Sequence, residues 1–119
     1  MDTLPRSERV RGKTAVSALM SKGRWGVSRD LKYCYLRNDA QDGTNRVMVS
    51  VPKRLFKRAV KRNLLKRRLR EAYRTRKYLL APSSTDILLL YNTKEVKDFT
   101  SIREEVEAIL QRISDERQL

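Results

Sequence analysis

Apolar residues recur along this chain in three patterns, and each predicts a different kind of element. From Gly12 to Lys22, Val16, Leu19 and Met20 stand at i, i+3 and i+4, a short helical stripe that Gly23 would end. Between Leu31 and Leu36 the pattern becomes alternation. Leu31, Tyr33 and Tyr35 take one face of a strand, and Lys32, Cys34 and Leu36 take the other. Asp39 to Thr44, with Gly43, reads as a hairpin loop. Val47, Val49 and Val51 then alternate with Met48 and Ser50 in a strand closed by Pro52. The continuous run Ile87-Leu88-Leu89-Leu90 suits a buried strand over Asp86 to Tyr91, after a break at Ala81-Pro82-Ser83-Ser84.

Two longer helices complete the pattern. With Val60 at zero and about 100° per residue, Leu65, Leu69, Ala72 and Tyr73 share an arc of about 100°, the core stripe of a helix from Arg58 to Tyr78. Asn63, Lys66, Arg67, Arg70, Arg74 and Lys77 occupy the neighbouring arc, a polar face about 20 Å long. Near the C-terminus, Ser101 and Glu104 have capping-box spacing, and Ile102, Val106, Ile109, Leu110 and Ile113 form an apolar stripe. Residues 1–11 are polar and expected to be loosely ordered. A further short strand fits Arg24 to Val27. The order α-β-β-α-β-α, with that extra strand, predicts an α+β fold, a two-layer α/β sandwich in a single domain spanning 1–119.

Charge changes this picture most. The chain carries a net +14, and Lys53 to Lys77 holds thirteen Lys and Arg against the single acid Glu71, so +12 resides in that block. A solvated helix face normally mixes signs, because like charges at i, i+4 destabilise a helix by roughly 0.2–0.5 kcal/mol per pair. Arg62/Lys66, Lys66/Arg70 and Arg70/Arg74 are all like pairs. Such a face calls for a polyanion, most simply nucleic acid, and its arginines suit bidentate phosphate contacts. From Tyr78 onward acids outnumber bases, eight to five, which assigns the last helix to the side away from phosphate.

Other chemistries find little support. The chain has no histidine and one cysteine, Cys34, so neither a Cys/His zinc site nor a Ser-His or Cys-His pair can be built. Asp39 and Asp42 fit a solvated loop better than a metal site. The lone cysteine and the absence of a signal-like N-terminus point to the cytoplasm. No apolar run approaches the roughly 20 residues that span a bilayer, so no membrane partner is expected. No second helix precedes the basic one in helix-turn-helix fashion, which argues against DNA.

The run Arg46-Val47, the strand to Val51, Lys53-Arg54, and Ala59 through Arg74 resembles the signature of the bacterial ribonuclease P protein subunit. The match is contiguous over about thirty residues. Its core, Ala-x-x-Arg-Asn-x-x-Lys-Arg-x-x-Arg-Glu, stands here from Ala59 to Glu71. One departure is visible: the family's Arg-Asn-Arg hallmark reads Arg62-Asn63-Leu64, which weakens one expected RNA contact. The resemblance implies a four-stranded sheet in the order α-β-β-β-α-β-α, with the basic helix in a left-handed βαβ crossover, against the usual hand. It implies no catalytic residue in the protein. A large catalytic RNA and the substrate would hold the Mg²⁺ that hydrolyses precursor tRNA, and the protein would bind that RNA and the 5′ leader. Arg62, Asn63, Lys66, Arg67 and Arg70 match the family's basic-helix positions, and Lys53, Arg54 and Lys57 lie in the loop before them. Arg58, Lys61 and Arg74, cations of the same block, complete the expected RNA-binding set. Val16, Met20, Lys32, Cys34 and Leu36 would line the leader cleft, with Tyr33 and Tyr35 in the core and Trp25 either a stacking platform or a core edge. The rival reading is a basic RNA-binding protein without an enzymatic role, such as a ribosomal protein or RNA chaperone.

Overall fold

The computed structural model describes residues 4–38 and 42–117. Three α-helices and four strands follow in the order α1 (Lys13–Lys22), β1 (Arg24–Ser28), β2 (Leu31–Arg37), β3 (Arg46–Ser50), α2 (Ala59–Arg76), β4 (Thr85–Tyr91) and α3 (Phe99–Arg117). Short 3₁₀ turns at Arg6–Glu8 and Lys77–Leu79 flank α1 and α2. The strands form one sheet in the order β1-β2-β4-β3. β1 and β2 pair antiparallel, as do β2 and β4, while β3 runs parallel to β4. Helix α2 is therefore the crossover that parallel pairing demands.

The alternation read in β2 is observed. Leu31, Tyr33 and Tyr35 join Ile87, Leu89, Leu65, Leu69, Tyr73 and the α3 stripe in the main core. Sheet, α2 and α3 thus make the two-layer sandwich. Cys34 and Leu88 point the other way and pack with Val10 and Leu19 beneath α1, which covers part of the opposite face. Gly23 lets this end of α1 sit low, since a Cβ there would lie 2.3 Å from both Cys34 Sγ and the Leu19 carbonyl oxygen.

Three local expectations are corrected. The segment between β2 and β3 is not a hairpin, because β4 inserts between these strands; of that segment, Asp39, Ala40 and Gln41 lie outside the described residues. The described part of the stretch before α1, residues 4–11, is held to the fold and not loose. Leu4 and Val10 are buried, the Val10 N–H donates to the Val47 carbonyl at 3.0 Å, and Arg9 bridges Val47. Helix α3 begins before the predicted capping box. Asp98 is its cap, accepting a 2.8 Å hydrogen bond from the Ser101 N–H. A pattern search finds Ser101-x-x-Glu104 equally well, but only the backbone path decides which polar residue precedes the first turn.

Candidate nucleic-acid interface

The basic surface is assembled by the loop that follows β3 and by α2. After Pro52 the chain turns through hydrogen bonds from Leu55 and Phe56 to the Pro52 carbonyl. Phe56 is buried and meets the Tyr91 ring edge-on at 5.8 Å, which pins the loop to the core. Its neighbours Lys53, Arg54, Lys57 and Arg58 consequently stand in solvent at the start of α2.

Along α2 the predicted stripe is fully buried, with Leu65, Leu69, Ala72 and Tyr73 against the sheet and α3, while Val60 stands outside. Among the described residues, Lys53, Arg54, Lys57, Arg58, Lys61, Asn63, Lys66, Arg67 and Arg70 make no side-chain hydrogen bond or ion pair. Arg62 does. Its Nη1 donates to the carbonyls of Phe56 and Lys57 at 2.7 and 2.8 Å, so it holds the loop against the first turn of the helix. Arg74 is paired with Glu71, whose carboxyl is held below the usual range by that neighbour, and Lys77 pairs with Glu8 at 2.9 Å. The predicted face is thus reduced at its C-terminal end by pairing, and Arg62 is given a positioning role. Burial, and secondarily the like charge of Arg9, press the Arg70 guanidinium below its ordinary value. Arg9 therefore belongs beside this surface. Sequence reasoning missed it, since sixty residues separate it from Arg70 and only the Val47 bridge brings them near.

Opposite α2, the five residues expected in one cleft are distributed around α1. Strand register sets the rows on this face: Leu36 with Asp86 and Arg46; Trp25 with Cys34, Leu88 and Met48; Val27 with Lys32, Leu90 and Ser50. Helix α1 lies over the middle row. Cys34 is completely buried there, its thiol donating to the Leu19 carbonyl at 3.1 Å and pushed up by burial to about 11. It offers no surface and no thiolate. Leu36 emerges on one flank, in a recess with Ala15, Ala18, Lys22, Arg46 and Asp86. Val16 and Met20 lie about 60° and 100° round the helix from Leu19, on the side away from Ala15, Ala18 and Lys22. They face the row of Lys32. By position on helix and strand, Val16, Met20 and Lys32 from the predicted set fall on one flank of α1, while Leu36 falls on the other and Cys34 is buried beneath the helix.

Val27 and Leu90 share that flank, Trp25 stands at the β1 end of the middle row beside Met20, and none of the three was placed there by the sequence. The alternation Trp25-Gly26-Val27 was the available signal, but the partner strand had to be known before it had a face. Among the described residues, no group of three or more His, Cys, Asp or Glu could hold a metal ion. None of the described helices is long and apolar enough to cross a membrane.

Comparison with known proteins gives a consistent picture. The family described as Ribonuclease P matches residues 4–114. The chain is 31% identical over 118 residues to the ribonuclease P protein component of Porphyromonas gingivalis, covering 93% of this chain and 86% of that one. It is 41% identical over 83 residues to the corresponding protein of Chlorobaculum tepidum, covering 66% and 54% respectively. In fold it is similar to the RNase P protein of Staphylococcus aureus, with a TM-score of 0.76 at 23% identity over 91% of this chain and 96% of that one. The RNase P protein of Thermotoga maritima gives 0.75 at 24% identity, over 88% and 96%.

Proposed function

The chain belongs to the ribonuclease P protein family, and from that premise we propose that it binds two RNAs on opposite faces of its sheet. The catalytic RNA of the holoenzyme lies against α2 and the loop before it, and the single-stranded 5′ leader of precursor tRNA lies on the α1 face. The observation that carries this reading is the concentration of cations without a side-chain partner at Lys53, Arg54, Lys57, Arg58, Lys61, Lys66, Arg67 and Arg70, on a loop and helix whose opposite side is fully committed to the core, whereas Arg62 and Arg68 are spent on backbone carbonyls of the protein. Each phosphate they neutralise releases counterions and stabilises the complex. Arg62 fixes the loop so that Lys53, Arg54 and Lys57 meet the RNA as one surface with Lys61, Lys66, Arg67 and Arg70.

On the other face, Lys32 supplies charge, and Val16 and Met20 supply apolar contact for the leader. Hydrolysis of the leader phosphodiester would draw on Mg²⁺ held mainly by the RNA subunit and the substrate. The protein's part is to orient the substrate and screen the repulsion between two polyanions, in the cytoplasm where tRNA matures. A ribosomal or chaperone role is disfavoured by the family match over residues 4–114.

Cleavage tests this directly. Protein alone is expected to leave precursor tRNA intact, and addition of the host's catalytic RNA with Mg²⁺ is expected to restore release of the 5′ leader. Metal-dependent cleavage by protein rigorously freed of RNA would sink the proposal.

A further inference from the structure

We propose that Trp25 is a base-stacking platform for the precursor tRNA leader, an inference that rests on the function proposed above. On the α1 face Trp25 is the only aromatic among the described residues, and it is 44% exposed on the edge strand β1. Its ring is not loose, because the indole N–H donates to the Met20 carbonyl at 3.3 Å. Val27 and Met20, each at least half exposed, lie beside it, and Lys32 pairs with Val27 across the strands. An indole held at its N–H edge with apolar neighbours, and 44% exposed, keeps part of its ring open to a partner.

Charge identifies what fits it. Helix α1 carries Lys13 and Lys22 and no acid. The one acid in the sheet rows of this face, Asp86, is occupied by Arg46 through contacts of 2.7 and 2.8 Å and by Asn38 at 2.9 Å. The face is therefore aromatic and apolar with uncompensated positive charge. A partner with flat apolar groups joined by negative charges matches it, which describes a single-stranded nucleic acid. Base-paired RNA hides its base faces in the stack and is excluded from such a contact. The cations of α2 stand on the other side of the sheet, so the strand that reaches Trp25 is the leader and not the RNA bound to α2.

The chain contains a single tryptophan, so its fluorescence reports this position alone. The protein assembled with its catalytic RNA is titrated with precursor tRNA, with mature tRNA, and with precursor whose leader is abasic. Quenching by the intact precursor only is the expected result. Trp25→Ala is expected to reduce the preference for precursor over mature tRNA about tenfold, the size of one base–aromatic stack, and Trp25→Phe to retain part of it. Thermal melts of both variants verify folding. Equal quenching by mature tRNA, or full quenching by the catalytic RNA before any substrate is added, would overturn the assignment. So would an unchanged preference in Trp25→Ala. Loss of preference in Lys32→Ala with none in Trp25→Ala removes the stack but keeps the leader on this face. Intact binding of catalytic RNA in Arg67→Glu/Arg70→Glu instead removes the two-face proposal itself.

Discussion

Helices α2 and α3 lie side by side on one face of the sheet, and each commits an unbroken apolar stripe to the same core. Their outer surfaces follow opposite electrostatic rules. Helix α3 starts with an acid at the positive end of its dipole, and the hydrogen bond from Ser101 draws the Asp98 carboxyl below its usual range. Several of its charged side chains have partners: Glu105 accepts from the Asp30 N–H at 2.9 Å, Glu107 pairs with Arg76, and Arg112 donates to the Val27 carbonyl at 3.0 Å. Helix α2 has Arg58 at its cap position, no side-chain cap and no acid in its first turn. Cations there oppose the dipole, by about 0.3–1 kcal/mol each where exposed. The two helices thus contribute alike to the core, while α2 alone carries an arrangement that works against its own stability. A bound polyanion reverses that cost.

Four measurements would break or sharpen the contrast. The largest effect is expected in the core, where the helices should be equivalent. Leu69→Ala and Ile109→Ala, both at fully buried sites, should each lower unfolding stability by about 2–5 kcal/mol in urea titrations. A large loss on only one helix would mean that they do not share the core equally. On the outer surfaces the helices should diverge. Arg67→Glu/Arg70→Glu is expected to weaken catalytic RNA binding by roughly 100-fold or more, with folding retained. Glu104→Lys, at an exposed site of α3, should alter affinity by less than about threefold. Comparable effects from the two changes would show that net charge matters and position does not.

Salt provides a finer measure. With five or six phosphates neutralised, log K against log salt should slope at about −4 to −5, and Ala at Arg67 or Arg70 should each flatten it by about one unit. A slope near zero would reject the phosphate surface. The smallest effects concern pH and the acids of α3. Asp98 has a folded pKa below its ordinary value, so its contribution is present at neutral pH and lost as pH falls through that depressed value. Asp98→Ala should therefore lower the melting midpoint by a few degrees near pH 7, and the gap should close in acid. Glu105 has the opposite sign, because burial raises its pKa in spite of the hydrogen bond from Asp30. Its penalty is full above the raised pKa and is relieved as pH falls through it. Glu105→Gln is expected to melt higher than the parent at neutral pH, with the advantage shrinking on acidification.

Much of the basic surface was legible in the chain itself. Leu65, Leu69, Ala72 and Tyr73 repeat at helical spacing, and once they are buried the cations at Lys66, Arg67 and Arg70 must face elsewhere. The faces of β2 were legible for the same reason, since a period of two fixes which side chains oppose one another. The surface proposed for the leader was not. Lys32, Cys34 and Leu36 do share a face, yet α1 crosses it over Cys34, leaving Lys32 on one flank and Leu36 on the other.

By itself, then, the sequence determined the elements, their buried sides and the site of the excess charge, because periodicity and composition are local properties of the chain. Tertiary structure alone decided that β4 separates β2 from β3, that Arg9 stands by Arg70, that Arg62 braces its own loop, and that Trp25 faces the same side as Lys32. These depend on which segments meet across long stretches of chain. A side chain's periodicity states which way it points, and only the packed neighbour states what it meets.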